Sequence, residues 1–298
     1  MTTTDAAAQE PRPEATAITT TAMPRLKSAA VLLHPKIPRS REIAEQVCAA
    51  LDDCTLQVAR ASVWDPERLR ELLPTVDVAI TLGGDGSILR AARAAAEFGT
   101  PILGVNLGKL GFLAEVEPVD VAVRIPPLVA GDYWIEERIM LRIEHWRDGV
   151  KLNTYQALNE AVVGRRSLSR VVRVPVLLNG HEVTTYKGDG VLVATPTGST
   201  AYSHAADGPI LHPEVSDLII TPICAHPRPT GSLVVPAATN ITLIAKTDHE
   251  AALSIDGQDD ILMHDGDSAV MSISTQRARF MRSQPRDYFF QTLLRKLR

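Results

Sequence analysis

Gly83, Gly84, Asp85, Gly86 and Ser87 stand where an apolar run, Val76 to Leu82, gives way to an alanine-rich stretch, Ile88 to Ala96. Glycines at a strand-to-helix turn supply backbone conformations barred to other residues and let a ligand approach the amides closely. Those amides and the helix N-terminus carry positive partial charge, which suits phosphate. Gly83, Gly84, Gly86 and Ser87 are therefore the candidate phosphate contacts. A carboxylate in such a site is electrostatically out of place unless it coordinates a metal or accepts a proton. Asp85 is that carboxylate, and the residues alone leave both roles open. Counting excludes two familiar loops: the dinucleotide fingerprint needs a small residue where Leu89 stands, and no Gly-Lys-Ser/Thr follows Gly83 or Gly84 at P-loop spacing. A plain turn capped by Ser87 is the simpler reading, but two consecutive glycines and an internal acid exceed what a turn requires.

A second constellation runs from Thr195 to Ser203. Five hydroxyl residues surround Pro196 and Gly198 there, and Ser199 or Thr200 is placed to cap a following helix. Tyr202 offers a flat face on which a base can stack. Lys187-Gly188-Asp189-Gly190 precedes the buried run Val191 to Ala194 that feeds this loop. Asn159 and Glu160 interrupt two apolar runs, and burying them costs a few kcal/mol unless they are paired. A ribose diol and an internal hydrogen-bonded pair are equally good partners.

Other chemistries fail. His249-Glu250 lacks a second zinc-binding histidine, Asp256 to Asp267 has Ile261 where a calcium loop needs glycine, and no Gly-x-Ser-x-Gly elbow is present. Cys48, Cys54 and Cys224 are too few and scattered for a disulfide framework or zinc site, so a reducing, cytoplasmic setting is expected. The 298 residues are 45% hydrophobic and 22% charged, ample for a soluble core. A net charge of −4 without a basic run excludes a nucleic-acid surface, and no apolar segment is long enough to span a membrane. Polyanions must then be bound locally, through amides, metal and a few side chains.

The elements that position these residues follow from periodicity. Residues 1–25 read as a disordered leader. Strand candidates at 29–33, 58–59, 76–82 and 102–106 alternate with helices at 40–51, 66–73 and 88–96, which implies a Rossmann-like parallel sheet over residues 26–125. Ligands of such sheets gather beyond the strands' carboxyl ends, where residues 83–87, Asn106 and a glycine-punctuated loop to Leu113 would lie. From 126 to 275 alternating runs turn at Asp148-Gly149 and Asn179-Gly180, which predicts a mostly antiparallel β domain. Residues 276–298 end in a segment with Phe289, Phe290, Leu293, Leu294 and Leu297, read as a helix docking on the body rather than on a membrane.

In order, Gly83 to Ser87, Gly104 to Leu113, Asn159-Glu160, Asp189-Gly190 and Thr195 to Ser203 resemble the motif set of bacterial NAD kinases, over roughly residues 28–298. The glycine–aspartate loop is shared with diacylglycerol, sphingosine and phosphofructokinase-like kinases; the threonine–proline–threonine–glycine run makes the resemblance specific. It implies the NAD kinase/diacylglycerol kinase-like superfamily fold, and transfer of the γ-phosphoryl of ATP, or of polyphosphate, to the 2′-hydroxyl of NAD's adenosine ribose with a divalent metal, usually Mg²⁺. By resemblance Asp85 takes the hydroxyl proton or orients that hydroxyl and the metal, and Gly86 lies against the nucleotide. Asn159 and Glu160 hold adenine and its ribose, and Asp189 contacts the second ribose or the nicotinamide end. Thr200, Ala201, Tyr202, Ser203, His204 and Ala205 frame adenine, while Arg90, Arg170, Lys187, Cys224 and Gln258 fall at peripheral ligand positions. The C-terminal segment is expected to return to the first domain, and a homodimer or homotetramer is implied. Departures are Ser87, where Thr or Asn is frequent, and Asp207 in Ala206-Asp207-Gly208, which alters charge near the site. The rivals are a lipid kinase of the same superfamily, which needs an apolar acyl cavity, and a non-catalytic NADP(H) sensor, which does not need Asp85.

Overall fold

A computed structural model of the chain describes residues 23–108, 111–167, 170–226 and 230–296. In the first half, strands β1 (Ser28–Leu33), β2 (Gln57–Ser62), β3 (Val78–Gly83) and β4 (Ile102–Asn106) alternate with helices α1 (Arg39–Asp52), α2 (Pro66–Leu72) and α3 (Asp85–Ala96). The strands pair in parallel in the order β2-β1-β3-β4. Every residue of β3 and β4 is buried, because helices cover both faces. Ile43, Val47 and Leu51 of α1 pack on one face with Ile125 and Leu128 of a further helix, α4 (Val121–Ala130). Leu69 of α2 and Ile88, Ala92 and Ala95 of α3 pack on the other.

The second half is antiparallel. Its strands are β5 (Trp134–Arg147), β6 (Val150–Ala157), β7 (Glu160–Arg165), β8 (Val172–Leu178), β9 (His181–Gly188) and β10 (Gly190–Ala194). After a short helix, α5 (Tyr202–Ala205), come β11 (Leu218–Ile223), β12 (Leu233–Val235), β13 (Ile241–Ile244), β14 (Ala251–Ile255), β15 (Asp259–Met263) and β16 (Ser268–Arg282), then α6 (Tyr288–Lys296). Two sheets enclose a core that includes Leu141, Val163, Tyr186, Val191, Ile220, Leu253 and Met271. The two expected hairpin turns form with the left-handed backbone they require: Asp148 and Gly149 have φ of 49° and 75°, Asn179 and Gly180 have 50° and 84°.

β16 ties the halves together. It runs antiparallel to β5 and β13, then meets β4 in parallel at Phe280 and Ile102, so the two halves share a ten-stranded sheet. The boundary expected at 275 falls inside β16, and the one expected at 125 falls inside α4. Pro126 and Pro127 concealed α4 in the sequence. They are tolerated because the carbonyls they leave without a donor belong to exposed residues, Ala122 and Val123, where water can serve. Of the leader expected over 1–25, residues 23–25 are described and bonded to the body. Met23 donates its amide to Gly131, Tyr133 donates its hydroxyl to Pro24, and Arg25 bonds the Cys54 carbonyl. Residues 1–22, Lys109, Leu110 and Leu297 lie outside the described residues.

Candidate active site

At the carboxyl end of the parallel sheet, Gly83 of β3 is in register with Asn106 of β4. Leu107 donates its amide to the Gly83 carbonyl at 3.0 Å, and Asn106 accepts from Gly108 while donating to Glu117. The glycine loop and the loop after β4 are thereby fastened to each other. α3 begins at Asp85, three residues earlier than periodicity predicted, with Gly84 as its cap and no side-chain cap bond. Ser87 therefore sits within the first turn and does not cap. None of Gly83, Gly84 and Gly86 has positive φ, so the expected need for unusual backbone is not met. Space is the reason instead: a Cβ on Gly84 or Gly86 would meet nothing within 4 Å, which leaves an open cradle beside the first helical amides.

Asp85 projects towards the second loop. Its Oδ2 accepts the Phe112 amide at 2.9 Å and its Oδ1 the Leu113 amide at 3.3 Å. Gly111 is indispensable to this contact, since a Cβ there would lie 1.9 Å from Oδ1. A carboxylate offers about four lone-pair sites, so two remain for a ligand hydroxyl or a cation.

The second half approaches through β14 and β15. Between them Asp256, at a φ of 52°, accepts the amides of Leu158, Asn159 and Glu160 at 2.8–3.0 Å. Arg93 of α3 reaches Asp256 at 3.5 Å and Asp259 at 2.9 Å, and Gln258 donates to the Gly86 carbonyl at 3.2 Å. The turn thus joins the Asp85 loop to Asn159-Glu160. Burial, with the neighbouring Asp256 charge, raises the Glu160 carboxyl to about 8 against a weaker opposing pull from the Tyr202 amide. Burial raises the Asp256 carboxyl too, opposed by Arg93 and three amides. The buried Oε2 of Glu160 has no hydrogen-bond partner among the described residues, as expected of a group that awaits a ligand.

The Thr195–Ser203 loop packs on the same pair. Thr195 bonds the Asn159 carbonyl with its amide and the Leu158 carbonyl with its hydroxyl, and a Cβ on Gly198 would strike the Asn159 carbonyl oxygen at 2.1 Å. Ser199 and Thr200 are not caps: Ser199 bridges Pro196 and Leu211, and Thr200 donates to Thr197. Tyr202, 44% exposed, borders a depression of about 330 Å³ with Asp189, Ala205, Asp207 and Cys224. Arg165 pairs with Asp189 at 2.9 Å. Arg90 lies beside the cleft in another depression that also takes in Gln258, its guanidinium stacked 3.9 Å over Trp64 and its pKa lowered by burial. Ala201 is half-buried; Ser203 is buried and bonds Thr221; His204 and Lys187 are exposed. Arg170 is not brought to these residues and borders a separate depression with Arg166, Asp248 and Glu250. Sequence reasoning missed Asp256, Arg93 and Phe112. An Asp-Gly turn closing an apolar strand was the available signal for Asp256; the other two act only across long sequence separations.

The arrangement matches known proteins along most of its length. Residues 20–133 fit the family model of the ATP-NAD kinase N-terminal domain, and residues 158–283 that of the C-terminal domain. A NAD kinase of Dehalococcoides mccartyi is 39% identical over 91% of this chain and 96% of its own. One from Chloroflexus aurantiacus is 37% identical over 92% and 99%. Among solved structures, an Archaeoglobus fulgidus NAD kinase in complex with ATP superposes with a TM-score of 0.73 at 27% identity, covering 90% of this chain and 98% of that one. Yeast NADH kinase complexed with NADH shares the fold, with a TM-score of 0.81 at 23% identity over 92% and 88%.

Proposed function

The chain belongs to the NAD kinase family, and on that premise we propose that its cleft directs the 2′-hydroxyl of NAD's adenosine ribose to the Asp85 carboxylate. It is a NAD kinase: it makes NADP by phosphorylating NAD. One observation carries the finer reading. Gln258 and Asp256 connect the Asp85 loop to a buried Glu160 oxygen, beside Asn159, that has no partner among the described residues, which supports a reading with a proton acceptor and a diol-suited pair on one cleft.

Phosphoryl transfer asks a protein mainly for positioning and charge neutralisation. Asp85 receives the hydroxyl proton as that oxygen attacks the γ-phosphorus, and the donor's β–γ bridging oxygen leaves with the bonding pair. The amides of Asp85 and Gly86 face the phosphates of ATP or polyphosphate. Asn159 and Glu160 hold the adenosine ribose, Tyr202 stacks on adenine, and Asp189 faces the second ribose or nicotinamide end. A divalent metal, Mg²⁺ by resemblance, fits the donor set. Magnesium is commonly held by one or two carboxylates plus substrate phosphates, Asp85 has lone pairs to spare, and among the described residues no three His, Cys, Asp or Glu side chains form a cage of their own. Asp85 and the phosphates would hold it, and bound there it would supply positive charge to offset that of the transferring group. Three unpaired cysteines support a reducing, cytoplasmic compartment. Charged and amide side chains among the linings, Asp189 and Asp207 in one depression and Arg90 and Gln258 in the other, favour a dinucleotide over an acyl chain.

The test is purified protein with NAD, Mg²⁺ and either ATP or polyphosphate, with product read through an NADP-specific dehydrogenase. NADP should form, and diacylglycerol should not be phosphorylated. Asp85→Asn should leave NAD binding nearly intact and lower turnover by roughly 10²–10⁴-fold, the usual worth of a positioned base. Wild-type turnover in that variant removes Asp85 from the mechanism.

A further inference from the structure

Among the described residues the Asp85 carboxylate is held by backbone amides, and an amide is only as well aimed as its peptide plane is fixed. On the downstream side the fixing is plain. Arg282 grips the Leu113 carbonyl at 3.0 Å and the Glu115 carboxylate at 3.3 Å, and Ser283 and Gln284 add their amides to Glu115. At Phe112 itself the anchor is the side chain, and what it meets belongs to the far end of the sequence. Its ring lies 5.8 Å from that of Phe289, and the Lys296 ammonium sits 4.2 Å over its centre. Phe289 is buried and set edge-on against His212 at 5.2 Å. The adjoining Tyr288 hydroxyl is bonded to Glu136 and Arg138, which pins α6 to the body. A continuous set of contacts therefore runs from α6 through Phe112 to the carboxylate.

We propose that Phe112 is a positioning residue for Asp85 and that α6 governs turnover through it, a role that presupposes Asp85 as acceptor of the hydroxyl proton. The ribose-facing groups Asn159 and Glu160 are held by Asp256 and not by α6. Loosening α6 therefore misaims Asp85 without disturbing NAD capture.

The experiment is steady-state kinetics of the full chain carrying Phe289→Ala, Phe289→Met or Lys296→Gln, each in the native and the Asp85→Asn background, with thermal unfolding as the check on folding. Phe289→Ala should lower kcat by roughly 10–100-fold, the scale of a reacting group misplaced by up to an ångström, with KM for NAD unchanged. The similar-sized Phe289→Met should recover most of that loss. In the Asp85→Asn background, Phe289→Ala should cost nothing further. Lys296→Gln removes only a cation at the surface, so it decides the matter should Phe289→Ala not fold; a loss of about 2–5-fold in kcat and faster hydrogen exchange at the Phe112 and Leu113 amides are expected. Unchanged kcat in Lys296→Gln and Phe289→Ala, a loss that persists without Asp85, or a rise in KM in place of a fall in kcat would each overturn the role of α6. Wild-type turnover in Asp85→Asn alone is a separate result, and it overturns the role of Asp85 itself.

Discussion

Glu115, Glu136, Arg138 and Arg282 form one buried ionic cluster, and Glu160, Asp256 and Arg93 form another. Both lie where the two halves of the chain meet. In the first, two acids face two arginines: Arg282 reaches Glu136 at 2.9 Å and Glu115 at 3.3 Å, and Arg138 reaches Glu136 at 3.0 Å. Burial pushes the Glu136 carboxyl up, but the charges and hydrogen bonds of Arg138 and Arg282 outweigh it and bring it down to about 2. In the second, Arg93 is divided between Asp256 at 3.5 Å and Asp259 at 2.9 Å, and Glu160, buried beside the Asp256 charge, is raised to about 8 with an oxygen unbonded among the described residues. The same residue types thus give a structural clamp where arginines match the acids and a candidate binding site where they do not. The deficit is tolerable because three amides stabilise Asp256 and a proton neutralises Glu160.

The comparison breaks most visibly at Arg282. Arg282→Met should destabilise the protein by about 3–5 kcal/mol in urea titration, because two buried carboxylates lose their shared partner. A cost near zero would mean that the first cluster is no clamp. A smaller effect, with a definite sign, is expected at Glu160. Its folded-state pKa of about 8 exceeds the ordinary 4.5, so the folded protein holds that proton more tightly; stability from this group is full below 4.5 and is lost as pH rises to about 8. Glu136 behaves oppositely, its contribution being present above 4.5 and lost as pH falls to about 2. Urea midpoints of Glu160→Gln and the native chain should coincide at acid pH and diverge in favour of the variant above pH 8, and parallel curves across that window would refute the assignment. The variant should also raise KM for NAD. The smallest effect belongs to Glu250→Gln, which breaks an exposed pair with Arg166. A change of about 0–1 kcal/mol is expected there, and a larger one would show that ion pairs matter here irrespective of burial.

Much of the fold was legible because local rules decide it. Alternating strands and helices gave the parallel sheet, Asp148-Gly149 and Asn179-Gly180 gave the hairpins, and the apolar stripe of residues 288–296 gave a docked helix with Tyr288 and Phe289 buried. Local rules misled where tertiary contacts override them. α4 carries two prolines inside a helix, and α3 starts at an acid whose carboxylate is occupied 27 residues further on. The candidate site shows the same division. Asp85, Asn159, Glu160 and Tyr202 were visible as residue types out of place in their surroundings. Asp256, which accepts amides 96–98 residues earlier, was not.

By itself the sequence determined the chemical groups: a carboxylate among glycine amides, a polar pair between apolar strands, a hydroxyl-rich turn and a tyrosine face. It did so because each is a local mismatch between residue type and setting, and such mismatches can be read without coordinates. Only the tertiary structure decided which of two buried acids is ringed by amides and which keeps an oxygen unbonded, which loop holds Asp85, and that the far end of the chain holds that loop. Those outcomes depend on burial and on the count of opposing charges within a few ångströms, and both quantities exist only once distant segments have met.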